Sequence, residues 1–334
     1  MAQWLKDNSS DSDIVISTRA RIARNVSGIP FPHMIRNTDA EDSIKKAARD
    51  RFCSKGSDFR YIEMKDLTQN KRSSLVEQHV ISRDLLSKDD GAVISSPDES
   101  ISIMMMEEDH FRIQYLTGGF NPEESYEVVN NVEKMLGTDV DYAYNDRFGY
   151  LTACPTNLGT GLRIGVMMNL KGHVLSNGIK DLQSGLGRLG LTIRGAYGEG
   201  TNPVADCYQI SNQVTLGISE QEIVQNIRQF VGQLINQERE VRRILYKNNK
   251  LELDDSVYRA YGILKNARKL SSDEANKYLS TLSFGVSLGI IEPCSETDIY
   301  RLMIETMPAT LREETGTVQE RDMRRAEIIR NVLK

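Results

Sequence analysis

The sequence of 334 residues predicts an α+β fold with two domains. Up to about Cys207, short runs typical of β-strands alternate with helical runs, and glycines are frequent between Gly149 and Gly200. After Ser219 the pattern changes, because glycine becomes rare and helix-start signals follow one another. We therefore expect a strand-and-helix domain over residues 1–219 and a mostly helical domain over residues 220–334.

The strands of the first domain are indicated by short apolar runs with a period of two. In one of them Ile101, Ile103 and Met105 alternate with other residues directly before a group of acids, so a strand should end at a site. The other expected strands lie at residues 14–16, 60–64, 92–95, 111–115, 150–153 and 191–196.

The helices of the second domain are indicated by capping-box patterns, in which a hydroxyl residue is followed three positions later by glutamate. The patterns are Ser219-x-x-Glu222, Ser271-x-x-Glu274 and Thr317-x-x-Glu320. Apolar residues with helical spacing follow the first pattern and predict one buried face, formed by Ile223, Ile227, Phe230 and Leu234.

Composition excludes several classes of protein. The net charge is −5, which argues against broad affinity for nucleic acids or membranes, although a local basic pocket is compatible with it. No run of about 18 apolar residues predicts a transmembrane helix, and the first residues lack a signal-peptide pattern, so we expect a cytoplasmic protein. The four cysteines (Cys53, Cys154, Cys207 and Cys294) are widely spaced, and we expect neither disulfides nor a structural zinc site.

The first candidate motif is Ser17-Thr18-Arg19-Ala20-Arg21, which follows the apolar run at residues 14–16. If this segment is a strand, Arg19 and Arg21 point to the same face. Two adjacent guanidinium groups repel each other unless an anion lies between them. The motif is therefore either an anion clamp or a pair of exposed surface arginines.

The second motif is Glu107-Glu108-Asp109-His110, followed by Arg112. Three adjacent acids at a strand end are unfavourable unless they are solvated or hold a cation. In the functional interpretation one carboxylate orients a cationic substrate and the others lie near a metal or behind the site. In the other interpretation this is a solvated loop.

The third and fourth motifs are Cys154-Pro155-Thr156-Asn157-Leu158-Gly159-Thr160-Gly161-Leu162-Arg163 and Arg194-Gly195-Ala196-Tyr197-Gly198-Glu199-Gly200. The cysteine is either a thiolate near arginines or a small residue before a turn. The glycine-rich run is either a mobile lid that carries a glutamate to phosphate or a plain turn. Walker A, protein-kinase and GxGxxG signatures are absent, so phosphoryl transfer would need a scaffold that uses arginines.

Taken in this order, the four motifs resemble those of the ATP:guanido phosphotransferases, the family that includes creatine and arginine kinases. The resemblance covers roughly residues 11–220, and Ile210-Ser211-Asn212 followed by Leu216-Gly217 resembles the family's closing region. It implies an antiparallel β-sheet catalytic domain flanked by helices, similar to that of glutamine synthetases. It also implies ATP and Mg²⁺ as cofactors.

The resemblance implies a role for each matching residue. The nucleotide phosphates would be held by Arg19, Arg21, Arg112, Arg163 and Arg194. His79 would pack on adenine, and the remaining nucleotide-site residues would be Ser17, Thr18, Ala20, Ile164, Gly165, Val166, Met167, Gly195, Ala196, Tyr197 and Gly198. The catalytic residues would be Glu108 and Glu199, which grip the substrate guanidinium, and Cys154 beside it. No residue is expected to serve as a dedicated metal ligand.

Three features depart from the small-molecule kinases of the family. Met106 stands where the family usually has asparagine, a helical domain before the catalytic domain is expected to be missing, and a helical tail is added. The last two features resemble the bacterial protein-arginine kinase branch (the McsB type), and the tail run 321–326 fits its RDxxRA motif. The motif implies a phosphoarginine-binding, allosteric site at Arg321, Asp322 and Arg325, whereas its spacing alone fits an exposed helix with i,i+4 charges.

The expected function is therefore an ATP-dependent protein-arginine kinase. A kinase for free arginine or another small guanidino compound is the first alternative, and a non-catalytic phosphoarginine-binding module is the second. The resemblance implies protein substrates that include stress-response repressors, an activating adaptor, a Clp-type protease system and compatibility with a homodimer. The sequence itself names neither the substrates nor the oligomeric state nor the need for an activator.

Overall fold

An antiparallel sheet of eight strands organises the first two thirds of the chain. The computed structural model describes residues 4–5, 11–36, 38–195, 204–312 and 315–333. The strands within these ranges are β1 (Val15–Arg24), β2 (Arg60–Glu63), β3 (Ala92–Ser95), β4 (Ile101–Met105), β5 (Phe111–Gly118), β6 (Tyr144–Asn145), β7 (Gly149–Tyr150), β8 (Leu162–Asn169), β9 (Leu191–Gly195) and β10 (Cys207–Asn212). The large sheet has the order β2-β3-β4-β5-β1-β8-β10-β9, and β6 and β7 form a separate hairpin.

The helices flank the sheet or follow it. They are α1 (Thr38–Phe52), α2 (Gln69–Glu77), α3 (Arg83–Leu86), α4 (Pro122–Leu136), α5 (Lys171–Leu175), α6 (Ile179–Arg188), α7 (Glu220–Asn248), α8 (Lys250–Asn266), α9 (Ser272–Ser287), α10 (Glu296–Glu305), α11 (Pro308–Arg312) and α12 (Val318–Val332). This arrangement confirms the predicted antiparallel α+β fold. None of the helices within the described ranges has the length and apolar composition needed to cross a bilayer.

The central strand β1 shows why the sheet has two different faces. It pairs with β5 on one side and with β8 on the other. Ala20 and Ile22 are fully buried in the core that includes residues of α4 and α7. Arg19 and Arg21 alternate with them and therefore point to the opposite face. One face of the sheet is thus a packed core and the other carries charge.

Most of the expected strands are present, with one correction. The strand expected at residues 150–153 ends at Tyr150, and the prediction is wrong for the rest of that segment. The reason is that the Ala153 amide donates to the Asp109 side chain at 2.7 Å instead of to a neighbouring strand. Strands β6, β8 and β10 were not among the predicted strands.

The helix starts of the C-terminal part follow the predicted chemistry. Reciprocal capping boxes form at Ser219 with Glu222 and at Thr317 with Glu320. Ser271 accepts a hydrogen bond from the Glu274 amide at the start of α9. A further capping box, at the start of α10, was not predicted because its third residue is aspartate instead of glutamate.

Of the three hydrophobic cores found among the described residues, two join the sheet to helices of the C-terminal part. The first half of α7 belongs to the core under the sheet, through Ile223 and Ile227. A second core joins α8–α10 and α12 to Trp4 and to Leu116 and Met167 of the sheet. The C-terminal helices therefore cover one end of the charged face. The domain boundary at residue 219 stays a prediction.

Candidate active site

A cavity of about 460 Å³ lies on the charged face of the sheet. Five arginines from four strands line it, and they are the five that the motifs singled out: Arg19, Arg21, Arg112, Arg163 and Arg194. The other lining residues are Ala23, Val76, His79, Ile81, Ser82, Arg83, Asp84, Glu108, Thr156, Asn157, Gly161, Gln209 and Ser211. The structure therefore brings together motifs that are up to 175 residues apart in the sequence, from Arg19 to Arg194.

Strand pairing explains why the arginines are neighbours. Arg21 is directly opposite Arg163 in the pairing of β1 with β8. Arg112 of β5 is opposite Ala23, two residues along β1 and on the same face. Side chains directly opposite each other in an antiparallel pair are about 5 Å apart at Cβ. The sheet thus crowds several cations into one small space.

The crowding is visible in the pKa values of the two central arginines. Burial and the nearby guanidinium groups of Arg112 and Arg163 lower the pKa of Arg19 to about 10. Burial and the same neighbours, together with Arg19, lower the pKa of Arg21 well below its usual value, and Glu107 opposes this only in part. Since arginine stays protonated in proteins, these cations are under strong mutual repulsion, which a bound polyanion would relieve.

Polar side chains fix the directions of the arginines. Arg112 donates to Glu107 at 2.6 Å and to Glu108 at 3.3 Å. Glu107 is almost fully buried and also accepts a short hydrogen bond from the Ser82 hydroxyl. Arg19 donates to Gln209 Oε1 at 3.0 Å. These contacts set the forks in place before any ligand arrives, which lowers the cost of binding.

Gly165 makes room for one of these contacts. A Cβ at this position would lie 2.1 Å from Nε2 of Gln209, the side chain that orients Arg19. Any larger residue would push Gln209 away. Glycine is therefore required at this position of β8 by the Gln209 side chain in the cavity, and not by the backbone conformation.

The three adjacent acids have three different environments. Glu107 holds Arg112, as described above. Asp109 is fully buried and accepts from Asn25 Nδ2 and from the Ala153 amide, both at 2.7 Å. Glu108 lines the cavity with its side chain 38% exposed. The structure thus leaves Glu108 as the acid of the motif that faces the cavity.

The environment of Glu108 makes it a stronger base than an ordinary glutamate. Partial burial raises its pKa, and the charges of Asp109 and Glu107 act in the same direction, while Arg112 opposes them. A raised pKa means a higher affinity for a proton in the cavity. This is a useful property for a group that must accept a proton from a substrate.

The run that starts at Cys154 reaches the edge of the cavity. Thr156 and Asn157 line the cavity, and the Cys154 thiol lies 3.1 Å from the Thr156 hydroxyl. The Thr215 hydroxyl supports the turn by donating to the Thr156 and Leu158 carbonyls. Cys154 is partly exposed beside this turn, and its catalytic role stays a prediction.

His79 lines the cavity from the loop after α2. Its φ of +63° lies in the left-handed region, and its carbonyl accepts from Gln114 Nε2 at 2.8 Å. Burial, and secondarily the charge of Arg19, lowers the pKa of its imidazole to about 3. The ring is therefore neutral at physiological pH, and its packing on adenine stays a prediction.

The other expected nucleotide-site residues fall into three groups. Gly165 and Met167 border a small pocket shared with Ser17, Arg19 and His79. Fully buried side chains on the opposite face support the sheet and do not line the cavity; they belong to Thr18, Ala20, Ile164 and Val166. Gly195 ends β9, and the expected residues after it lie outside the described ranges: Ala196, Tyr197, Gly198 and Glu199.

Met106 adopts a φ of +59°, in the left-handed region that asparagine tolerates better than methionine does. Its amide donates to the His110 carbonyl at 3.1 Å, which closes the turn that carries the acids. The usual asparagine of the family therefore suits a backbone conformation that methionine also adopts here.

The tail motif lies on α12, away from the cavity lining. Arg325 is 2% exposed and donates to the carbonyls of Thr306 and Leu270 at 2.9 and 2.8 Å, and to Asp322 at 2.6 Å. Arg321 is partly exposed. Two of the three expected phosphoarginine-binding residues thus fasten α12 to the helices beneath it, and binding of phosphoarginine stays a prediction.

Sequence reasoning assigned no role to five polar residues of the cavity, one of which is Ser82 before α3. Gln209 and Ser211 alternate along β10, so a period-two pattern next to the matched run Ile210-Ser211-Asn212 could have found them. Arg83 and Asp84 come from the short helix α3, and no pattern in the sequence marks them. The Asp84 carboxylate lies 4.0 Å from Arg112.

Carboxylates that could face a cation are few in this cavity. Among the described residues, no group of three or more His, Cys, Asp or Glu side chains could hold a metal ion by itself. Asp84 and Glu108 are the carboxylates in the lining. This donor set fits Mg²⁺, which commonly binds to one or two carboxylates together with substrate phosphates and water.

The antiparallel sheet places five arginines around one cavity that the carboxylates of Asp84 and Glu108 also line, an arrangement suited to a polyanion beside a cationic group. A family model described as ATP:guanido phosphotransferase, C-terminal catalytic domain, matches residues 39–241. The match covers more than half of the chain, so the chain belongs to the ATP:guanido phosphotransferase family.

A second model, described as the protein-arginine kinase McsB C-terminal domain, matches residues 250–334. The chain is 43% identical over 340 residues to a protein-arginine kinase of Bacillus subtilis, with all of this chain and 93% of the relative covered. It is 39% identical to a protein-arginine kinase of Clostridium acetobutylicum, with both chains covered completely.

Solved structures show the same relationship. A duplicated taurocyamine kinase of Schistosoma mansoni with bound transition-state-analogue components is 26% identical with a TM-score of 0.62, covering 71% of this chain and 35% of that one. A lombricine kinase is 26% identical with a TM-score of 0.60, covering 72% of this chain and 70% of that one.

Proposed function

We propose that this protein is a kinase that transfers the γ-phosphoryl group of ATP to the guanidinium group of arginine side chains in proteins. The observation that carries the proposal is the shared cavity, in which crowded arginines face a carboxylate with a raised pKa. The family and the two protein-arginine kinases named above support the same function.

On the donor side, we assign the arginines of the sheet to the triphosphate. Each guanidinium fork can bind two phosphate oxygens and keeps its charge. Phosphoryl transfer depends mainly on positioning and on stabilising charge that spreads over the phosphate oxygens. Asp84 is the residue we assign to the Mg²⁺ side of the nucleotide, and the ion would neutralise further phosphate charge when bound.

On the acceptor side, we assign Glu108 to the substrate guanidinium. A protonated guanidinium has no free lone pair, so a nitrogen must lose a proton as it attacks the phosphorus. The N–P bond forms as the bond from phosphorus to the ADP oxygen breaks, and a carboxylate takes the proton. We keep Glu199 as the second carboxylate and Cys154 as a neighbour of the guanidinium.

A kinase for a free guanidino compound is the second candidate. The similarity to structures named taurocyamine kinase and lombricine kinase favours it. Against it stands the C-terminal helical part, whose model is that of protein-arginine kinases. A module that only binds phosphoarginine would not need a base in the cavity, so Glu108 argues against that alternative.

The decisive experiment is mass spectrometry, at neutral pH, of a protein such as casein incubated with this protein, ATP and Mg²⁺. We expect acid-labile phosphate on arginine side chains, and a loss of about 10³-fold in rate for Glu108→Ala and for Glu199→Ala. Acid-stable phosphate on serine or threonine would overturn the proposal. Efficient turnover of free arginine in place of protein would favour the second candidate.

The biological setting is proposed from the resemblance alone. We propose that the protein acts in the cytoplasm on proteins that include stress-response repressors. We further propose that the phosphoarginine it forms marks those proteins for a Clp-type protease system. An adaptor that activates the kinase and a homodimer are parts of the same proposal. Phosphoarginine bound at Arg321, Asp322 and Arg325 would then regulate the kinase.

A further inference from the structure

The loop that carries His79 is held from behind by the C-terminal helices. Glu77 is the last residue of α2, and its carboxylate accepts three hydrogen bonds from the start of α11. Oε1 accepts from the Ala309 amide at 2.9 Å, and Oε2 accepts from the Thr310 amide at 2.7 Å and from the Thr310 hydroxyl at 3.0 Å. One carboxylate therefore joins the loop to the C-terminal helices.

His79 lies between two cavities. It lines the arginine cavity, and it also borders a second cavity of about 60 Å³. The walls of the second cavity include Trp4, Met303, Ile304 and Met307, which come from the N-terminus and from α10 and its end. The Trp4 and His79 rings meet edge to face with their centroids 6.3 Å apart. The back of the His79 ring thus faces the C-terminal helices.

The backbone at His79 needs this support. A residue other than glycine in the left-handed region is strained and keeps this conformation only when its surroundings hold it. Gln114 holds the His79 carbonyl from the sheet, and Glu77 holds the start of the loop from the other side. Loss of either contact should let the loop relax and should move the imidazole.

The stretch of chain that Glu77 contacts is also bound by the tail motif. The carbonyl of Thr306, three residues before Ala309, accepts a hydrogen bond from Arg325. Arg325 is paired with Asp322 on α12. Arg325 therefore holds the chain at Thr306, and Glu77 holds the same stretch of chain three residues later. The covalent chain between these two contacts links α12 to the loop that carries His79.

We propose that Glu77 is a positioning residue that sets the affinity of the cavity for nucleotide. It does so by fixing His79 against the C-terminal helices, so the nucleotide end of the site depends on a part of the chain that lines none of the arginine cavity. The inference rests on the proposed function, because it requires that the cavity bind a nucleotide.

The test compares Glu77→Gln with Thr310→Val. In Glu77→Gln one carboxylate oxygen is replaced by an NH₂ group, a donor that would face a backbone N–H of α11. In Thr310→Val only the hydroxyl that donates to the Glu77 carboxylate is lost. We expect Glu77→Gln to weaken ADP binding about tenfold by calorimetry and to raise the KM for ATP equally. The kcat and the KM for the protein substrate should stay within about twofold. Thr310→Val should weaken ADP binding about threefold. In the double variant the fold-loss in ADP affinity should be smaller than the product of the two single fold-losses, because both changes remove the same contact.

The matched control is Glu222→Gln. Glu222 caps the start of α7 through a carboxylate that accepts from Ser219, so the chemical change is the same but lies away from His79. We expect its affinity for ADP to stay within about twofold of the parent. Equal ADP affinity in Glu77→Gln and the parent would overturn the inference, and so would equal weakening in Glu222→Gln.

The unaltered protein separates the two proposals. If it binds no ADP, both are wrong. If it binds ADP more tightly than Glu77→Gln does but forms no phosphoarginine, the positioning role stands and the protein-arginine kinase proposal fails.

Discussion

Two arginine motifs of this chain, one on the sheet and one on the tail helix, have opposite environments. Arg19 and Arg21 are half-buried in a cavity lining, next to other guanidinium groups that lower their pKa values. Arg325 is fully buried, and its N–H groups bond to two backbone carbonyls and to Asp322. Both motifs contain charged residues at spacings that occur in many proteins.

The difference shows that the two sites are distinguished by the hydrogen-bond partners that their arginines have within the protein. A guanidinium whose donors are taken by backbone carbonyls contributes to stability, because removing it leaves buried acceptors unpaired. Guanidinium groups that crowd each other weaken the fold locally and gain free energy when an anion arrives. We expect substitutions in the two motifs to affect different measurements.

The largest expected effect is on catalysis. Arg21→Ala should lower kcat/KM for phosphorylation by about 10³-fold, or about 4 kcal/mol, because it removes a phosphate-binding fork. The free energy of unfolding in urea should change by less than about 1 kcal/mol, since the lost cation was repelled by its neighbours. Arg60→Ala, an exposed strand arginine outside the cavity, serves as the control and should keep full activity. Retained activity in Arg21→Ala would contradict the assignment.

The next effect is on stability. Arg325→Met should lower the free energy of unfolding by about 3 kcal/mol, because two carbonyls and the Asp322 carboxylate lose their partner. The matched control is Arg324→Met on the same helix, whose partly exposed pair with Glu327 is worth less than about 0.5 kcal/mol. Equal stabilities of the two variants in urea denaturation would show that the tail arginine is not structural.

A third measurement compares the motifs in one experiment. Pyrophosphate at about one hundred times its dissociation constant should stabilise the parent protein by about 2.7 kcal/mol, since it binds only the folded state. The increment should vanish in Arg21→Ala and persist in Arg325→Met, whatever the starting stability of each variant. Thermal unfolding with and without pyrophosphate measures it. An increment that disappears in Arg325→Met would mean that the tail also takes part in anion binding.

A smaller effect should come from Gly165, which acts on the cavity through the Gln209 side chain. Gly165→Ala would displace Gln209 and leave Arg19 without its orienting acceptor. We expect about a tenfold loss in kcat/KM, or about 1.4 kcal/mol, with normal folding. Steady-state kinetics of Gly165→Ala and of the double variant with Gln209→Ala test this. If Gln209 carries the effect, the double variant should be no worse than Gln209→Ala alone.

The smallest expected effect is a pH dependence of stability. His79 titrates near pH 6.5 in the unfolded chain and at about 3 in the folded one. Below pH 6.5 the unfolded state therefore binds a proton that the folded state does not, and stability falls as the pH decreases toward 3. Between pH 6.5 and about 5.5 the parent should lose about 1 kcal/mol more than His79→Asn, a variant whose side chain tolerates the left-handed backbone. Equal losses in urea denaturation would show that the imidazole is accessible to protons.

Local patterns in the sequence were enough to find most of the described strands and the starts of three helices. The alternation from Ile101 to Met105 corresponds to β4, and the capping box at Ser219 begins α7. The strand predicted at residues 150–153 was wrong after Tyr150, because the Ala153 amide donates to the side chain of Asp109, which is distant in the sequence. Such a contact leaves no local pattern, and neither do Arg83 and Asp84 of the cavity.

The sequence by itself determined which chemical groups this protein carries: arginines that can bind a polyanion, a glutamate that can pair with a cation, and a helical C-terminal part with its own motif. Only the tertiary structure decided which groups meet. Strand register placed Arg21 against Arg163, burial separated Glu108 from its acidic neighbours, and folding of the tail onto α10 directed Arg325 to backbone carbonyls. The physical reason is that residue type fixes charge and hydrogen-bonding capacity, whereas the partners that use this capacity come from segments distant in the sequence.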